Sequence, residues 1–134
     1  MQVDALHRPL GPDAQQRGLR TLQWEQLLLD RAHVFVFLSL WQTEGHSNAL
    51  NEAMGRGCVP VVTRQGFSAD VVGGCGFVVA DRDRLDAAVD WIAARWNAAD
   101  WTAASNAAVD RIAENFTDLR VLETLRAIYS AALA

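Results

Sequence analysis

The sequence predicts an α/β fold, with an incomplete parallel sheet followed by about three C-terminal helices. Residues 33–39 form a continuous apolar run that is too short for a helix and typical of a strand covered on both faces. A helical pattern that stops at Gly57 separates this run from a second one, residues 59–63. Parallel strands need such a crossover connection, so this order indicates a parallel sheet.

Each element follows from local patterns. Residues 1–21 contain closely spaced Pro and Gly and form a poorly defined N-terminal segment. The sheet core, residues 22–81, is predicted to begin with a short helix that Thr21 caps and that ends near Arg31, followed by a strand 33–39. A helix capped by His46 or Ser47 then runs to Arg56, and it is followed by a strand 59–63, a loop 66–72 with one helical turn, and a strand 77–80. Residues 82–134 show amphipathic helical patterns that begin near residues 83, 100 and 117. Together they make a single partial domain, residues 1–134.

Composition narrows the functional classes. An apolar content of 51% is sufficient for a packed core. The net charge of −4 and the lack of a basic stripe argue against nucleic acid as a partner. Cys58 and Cys75 lack the Cys-x-x-Cys spacing of metal and redox sites, so we expect two buried thiols and no metal.

The strongest chemical signal is a pair of glutamates, Glu44 and Glu52, which flank the start of the second predicted helix. They follow a strand, and ligands of open α/β sheets bind at the carboxyl ends of strands. A helix N-terminus with a neighbouring glycine suits a diphosphate, and a carboxylate accepts hydrogen bonds from sugar or ribose hydroxyls. Two other interpretations stay open: both side chains are simply solvated, or they act as the acid and base of glycoside hydrolysis.

Residues 39–45, 48–54 and 57–63 resemble the C-terminal core of the retaining GT-B glycosyltransferases of the GT4 type. The similarity continues, in order, through residues 74–79, 83–92 and 115–117. The resemblance implies the second half of a Rossmann-like GT-B C-terminal domain with an E-x7-E motif.

The resemblance also implies roles for individual residues. Glu44 corresponds to the catalytic glutamate that contacts the hydroxyls of the donor sugar, and Glu52 to the glutamate that binds ribose. The phosphate-binding residues are Gly45, His46, Ser47 and Asn48, with Ala49 and Leu50 at the helix start beside them. His46 and Ser47 depart from the usual aromatic and small residues of the family, which leaves the identity of the donor open.

The function implied by the resemblance is transfer of a hexosyl group from a UDP- or GDP-sugar to a glycan, lipid or small-molecule acceptor, with no further cofactor. Because the family's N-terminal domain and its basic Arg and Lys pair have no counterpart here, we expect the isolated chain to be inactive without that domain or a partner chain. The alternatives are a sugar-nucleotide epimerase that shares the GT-B fold and a non-catalytic α/β interaction module. No signal or membrane span is evident, so a cytoplasmic protein is expected, or one peripheral to a membrane as the full-length enzyme.

Overall fold

A computed structural model describes residues 23, 25–43, 45–80, 84–95 and 97–133. The chain divides into two units, Met1–Arg31 and Ala32–Ala134. In the first unit residues 25–31 are helical, which agrees with the helix predicted to end near Arg31. The predicted start of that helix, at Thr21, and the N-terminal segment before it lie outside the described residues.

The second unit contains the predicted alternation of strands and helices. Its elements are β1 (Val34–Phe37), α1 (Asn48–Gly55), β2 (Val59–Thr63), α2 (Ser68–Val72), β3 (Phe77–Val79), α3 (Leu85–Ala94), α4 (Ala98–Asn115) and α5 (Asp118–Ala132). The described strands form one parallel sheet in the order β1-β2-β3. The predicted α/β class, with an incomplete Rossmann-like sheet and C-terminal helices, is therefore confirmed.

Strand β2 is the centre of the hydrophobic core, because it is buried at every position. Its side chains alternate between two clusters, as the period of two in a strand requires. Val62 packs with residues of α1, α2 and α4, and Val61 packs with Val79 and with Ala88 of α3. Helices thus cover both faces of β2.

Strand β1 is more exposed than the sequence predicted. Val36 is 56% exposed, and β1 pairs with β2 alone among the described strands. Val36 lies two residues after Val34, so both side chains are on the same face of the sheet. Val34 packs against the cluster that includes Ala88 of α3. Helix α3 packs against β3, which is separated from β1 by β2, so the helix does not cover Val36.

The helix boundaries agree with the sequence where capping residues define them. Ser47 caps α1, and Thr117 caps α5, each through a hydrogen bond accepted by its side-chain oxygen. Helix α4 begins at Ala98, two residues before the predicted start, because Asn97 is its cap and accepts from the backbone N–H of Asp100. The caps predicted for α3, Asp81 or Asp83, lie outside the described residues.

Helix α4 holds the connections between the strands through polar contacts. The Ser105 hydroxyl donates to the carbonyl of Gly57 (2.8 Å), the residue that ends α1 with a positive φ of 84°. The Arg111 guanidinium donates to the carbonyls of Asp70 (2.8 Å) and Val71 (3.2 Å) in α2. A cation at the C-terminal end of a helix also interacts favourably with the helix dipole. One long helix therefore fixes two separate crossover segments.

The two thiols occupy different environments. Cys58 is fully buried, as predicted, whereas Cys75 is only partly buried. The Cys75 thiol donates to the carbonyl of Ala107 at 3.2 Å. Burial raises the pKa of the Cys75 thiol, the nearby Arg111 lowers it, and Asp110 raises it further. Cys75 is thus a packing residue that keeps its proton at neutral pH and is a poor nucleophile.

We predict that Gly76→Ala destabilises the fold. A Cβ at residue 76 would overlap the carbonyl oxygen of Pro60 and lie 2.6 Å from Cγ of that ring, where β2 and β3 approach each other. Overpacking of this kind typically costs about 1–3 kcal/mol of unfolding free energy, measurable by urea titration. Gly45→Ala is the control, since no described atom lies within 4 Å of its Cβ position. Equal stability of the two variants would contradict the prediction.

Candidate functional site

The loops after β1 and β2 meet at one edge of the sheet. The hydroxyl of Thr63, the last residue of β2, donates to the carbonyl of Ser39 in the loop after β1. Because β1 and β2 are parallel, this contact joins their carboxyl ends. The loop then continues to residues 45–48, hereafter segment 45–48, where α1 begins. The candidate site therefore lies where open α/β sheets bind ligands.

Two backbone N–H groups at the N-terminus of α1 have no acceptor among the described residues. The first intrahelical bond runs from the N–H of Asn51 to the carbonyl of Ser47 (3.2 Å), and the Ser47 hydroxyl accepts from the N–H of Leu50 (3.4 Å). No described residue accepts from the N–H of Asn48 or Ala49, both of which are exposed. Such groups, together with the helix dipole, make a helix N-terminus attractive to an anion.

The predicted binding residues of α1 lie on two faces. Leu50 is fully buried in the core, and its N–H is already bonded to Ser47, so it contributes to the position of the helix. Asn48 and Glu52 are exposed and four residues apart, which places them on the same face of α1. No described residue forms an ion pair with Glu52. Its side chain is exposed to solvent.

Gly45 has no structural reason to be glycine within the described part of the chain. Its φ is not positive, and a Cβ would have no described neighbour within 4 Å. Its surroundings thus differ from those of Gly76, where the neighbouring strand requires glycine. An open position before a helix N-terminus lets a ligand approach the backbone closely.

His46 is exposed but not free. Its Nε2 lies 2.5 Å from the side-chain nitrogen of Asn51, and its ring centroid lies 5.0 Å from that of Phe116, with an angle of 46° between the planes. Asn51 belongs to α1, and Phe116 connects α4 to α5. The imidazole is therefore held between a helix of the candidate site and the C-terminal helices.

Glu44 lies outside the described residues, and its predicted catalytic role stays a prediction. The other predicted site residues are segment 45–48, Ala49, Leu50 and Glu52. They lie at the start of α1 or directly before it, with Leu50 buried in the core. Among the described residues, no group of three His, Cys, Asp or Glu side chains is arranged to hold a metal ion.

Comparison with known protein families finds a match to the sequence of this chain. The sequence profile of the glycosyl transferases group 1 matches residues 14–95, which include the described strands and α1. The chain belongs to the group 1 glycosyl transferases. No curated protein and no solved structure matches it. In the described part of this glycosyl transferase chain, no helix has the length and apolar character needed to cross a membrane.

A separate cavity of about 210 Å³ lies near the amino end of β1. Its lining includes His33, Asn97, Ala98 and Trp101. His33 directly precedes β1, so this cavity adjoins the amino end of that strand and is distinct from the candidate site. The rings of His33 and Trp101 have centroids 5.9 Å apart. This edge is not where ligands of parallel sheets usually bind.

Sequence reasoning assigned no role to two residues that the structure places at the site, Asn51 and Phe116. Asn51 lies within the E-x7-E motif, but it is five residues after His46, which precedes the helix, so the i+3 and i+4 spacing of a helix face gave no signal for this contact. Phe116 is distant in sequence from His46, and its place on an amphipathic stripe indicated only a core position.

We predict that Ser47→Ala weakens α1 by removing the side-chain acceptor for the N–H of Leu50. Loss of an N-cap of this type costs about 0.5–2 kcal/mol, which chemical unfolding can measure. Ser47→Thr is the matched control and keeps most of the stability, because its hydroxyl also caps a helix. An alanine variant as stable as the threonine variant would show that the cap is unimportant.

Proposed function

We propose that segment 45–48 and α1 bind a UDP- or GDP-sugar, as the donor-binding part of a retaining GT4-type glycosyltransferase. The reaction would transfer a hexosyl group to a glycan, lipid or small-molecule acceptor. The observation that carries the proposal is the open N-terminus of α1, where the N–H groups of Asn48 and Ala49 have no described acceptor. That this chain is a group 1 glycosyl transferase supports the same function.

The diphosphate is the part of the donor that best suits this geometry. Its negative charge is favoured by the dipole of α1, and its oxygens can accept from the N–H groups of Asn48 and Ala49. Gly45 permits close approach, because no described side chain lies near its Cβ position. As the glycosidic bond breaks, charge grows on the diphosphate leaving group, and the same donors would stabilise it.

The two glutamates have separate proposed roles. Glu52, on the exposed face of α1, would accept hydrogen bonds from the two ribose hydroxyls. Glu44 would accept from the hydroxyls of the transferred sugar, as the family resemblance implies. His46 would donate from its imidazole to a phosphate oxygen, with its ring already held by Asn51 and Phe116.

The first test is a titration of the chain with UDP, GDP and ADP and with the corresponding sugar nucleotides. We predict that Glu52→Gln weakens nucleotide affinity roughly tenfold, as expected when a charged hydrogen-bond acceptor worth about 1.5–3 kcal/mol becomes neutral. Glu114→Gln is the matched control, since Glu114 is an exposed glutamate near the end of α4. Unchanged affinity in Glu52→Gln would refute the ribose role.

A second test uses Gly45→Ala, which separates binding from stability. We predict unchanged unfolding free energy, because the new Cβ has no described neighbour within 4 Å. We also predict several-fold weaker binding of the sugar nucleotide, because the methyl group would meet the ligand instead. Calorimetric titration and urea unfolding on the same preparation measure both quantities. Wild-type affinity in this variant would exclude close approach of the diphosphate to residue 45.

A non-catalytic interaction module is the second candidate, favoured by two exposed apolar surfaces. One is the edge strand β1, with Val36 exposed. The other is α5, which buries no residue and exposes several large apolar side chains: Leu119, Val121, Leu122, Leu125, Ile128 and Tyr129. Thermal unfolding distinguishes the candidates. A melting temperature raised by UDP or GDP supports donor binding, whereas one that rises only with protein concentration or an added partner supports the module.

A further inference from the structure

The imidazole of His46 connects two parts of the chain that are far apart in sequence. It contacts Asn51 in α1 and Phe116 at the junction of α4 and α5. We propose that Asn51 and Phe116 are positioning residues, which hold the His46 ring, and with it segment 45–48, in the conformation that receives the diphosphate. This inference rests on the proposed function.

The contact with Asn51 selects the tautomer of His46. In the orientation that the Asn51 amide has here, its nitrogen lies 2.5 Å from Nε2 of His46, and because an amide nitrogen only donates, this orientation requires Nε2 to accept. A neutral imidazole that accepts at Nε2 carries its proton on Nδ1. The Nδ1–H group is then the donor that the ring can offer to a phosphate oxygen. Asn51 thereby determines which imidazole nitrogen is available to the ligand.

The orientation of Asn51 has a cost that stability alone does not explain. Its Oδ1 is buried and has no hydrogen-bond partner among the described residues. Leaving a buried acceptor unpaired is unfavourable, and the exposed hydrogen bond to His46 satisfies only the other end of the same amide. Such groups are rare in native proteins, and a functional role is one of the reasons for which they are kept. A positioning role for the amide accounts for the arrangement.

Phe116 supplies a fixed surface for the ring of His46. It packs against the core cluster that contains Leu50 and Met54, and the Arg111 guanidinium carbon lies 5.5 Å from its ring centroid. Arg111 is itself bonded to the carbonyls of α2. The tilted pair of His46 and Phe116, at 5.0 Å, matches the favourable geometry of aromatic contacts. This aromatic contact therefore links the position of segment 45–48 to the position of α4.

Holding the ring in advance favours binding for an entropic reason. An exposed imidazole would otherwise lose rotational freedom when it meets the phosphate, and immobilising a side chain typically costs about 0.5–1.5 kcal/mol. The contacts with Asn51 and Phe116 already restrict the ring in the free protein, so less rotational freedom is lost when the ligand binds. Removing either contact should therefore weaken binding roughly three- to tenfold while the fold remains intact.

The structural part of the inference is tested by NMR of the free chain, which contains three histidines. Long-range proton–nitrogen spectra should show His46 as the Nδ1–H tautomer in the wild type. Asn51→Ala should remove this preference, and Phe116→Leu should shift the ring protons of His46 by removing the aromatic ring current. Phe77→Leu is the matched control, because Phe77 is partly buried, contacts Trp91 at 5.6 Å and packs in the other cluster.

The same variants are then titrated with UDP and GDP. Weaker binding by Asn51→Ala and Phe116→Leu, recovery in Phe116→Tyr, and wild-type affinity in Phe77→Leu support the inference. Should Phe116→Leu fail to fold, Asn51→Ala decides alone, since Asn51 contributes no apolar side chain to the core.

Two failures are distinguishable. A wild-type chain that binds no nucleotide overturns the proposed function and this inference together. A wild-type chain that binds, with equal affinity in Asn51→Ala and Phe116→Leu, overturns the inference alone. Unchanged His46 signals in both variants overturn it as well, whatever the affinity.

Discussion

Burial of β2 on both faces is the constraint on which the rest of the described structure depends. Its five residues are all buried, and full burial of one Val or Leu side chain is worth about 1.5–3 kcal/mol. A strand buried in this way needs neighbours on both edges and helices over both faces, and β1, β3 and the helices provide them. The crossovers then bring the carboxyl ends of β1 and β2 together. The candidate site is a consequence of this packing.

Helix α4 gives the site a rigid base although the site itself is exposed. Its side chains and backbone bond to the end of α1, to α2 and to the turn before β3, through Ser105, Arg111 and the carbonyl of Ala107. These partners lie at the connections between strands, where a parallel sheet is least constrained by its own ladder. Exposed binding segments on a rigid scaffold are the usual arrangement of functional loops.

The candidate site relies on backbone groups and orientation more than on side-chain charge. The chain carries a net charge of −4, so its overall charge does not favour the proposed diphosphate ligand. The N-terminus of α1 offers a local positive end instead, with the N–H groups of Asn48 and Ala49, for which no described residue is an acceptor. Because the dipole effect falls off within one turn, the exact placement of segment 45–48 matters more than the number of basic residues nearby. The contacts of His46 gain their importance from this requirement.

The sequence by itself determined the class of fold, the positions of β2 and α1, and the segment that carries the candidate site. Short-range signals were sufficient for these features: the apolar run 59–63, the cap at Ser47 and the stop at Gly57 all act within one element. The proposed role of Glu52 rests on the family resemblance and stays a prediction, and the structure shows only that Glu52 is exposed on α1. The tertiary structure alone decided which face of β1 remains open, how α4 secures the crossovers, and that Phe116 contacts His46. These features depend on contacts between residues far apart in sequence, whose energies arise only when the elements pack, and local periodicity contains no record of them.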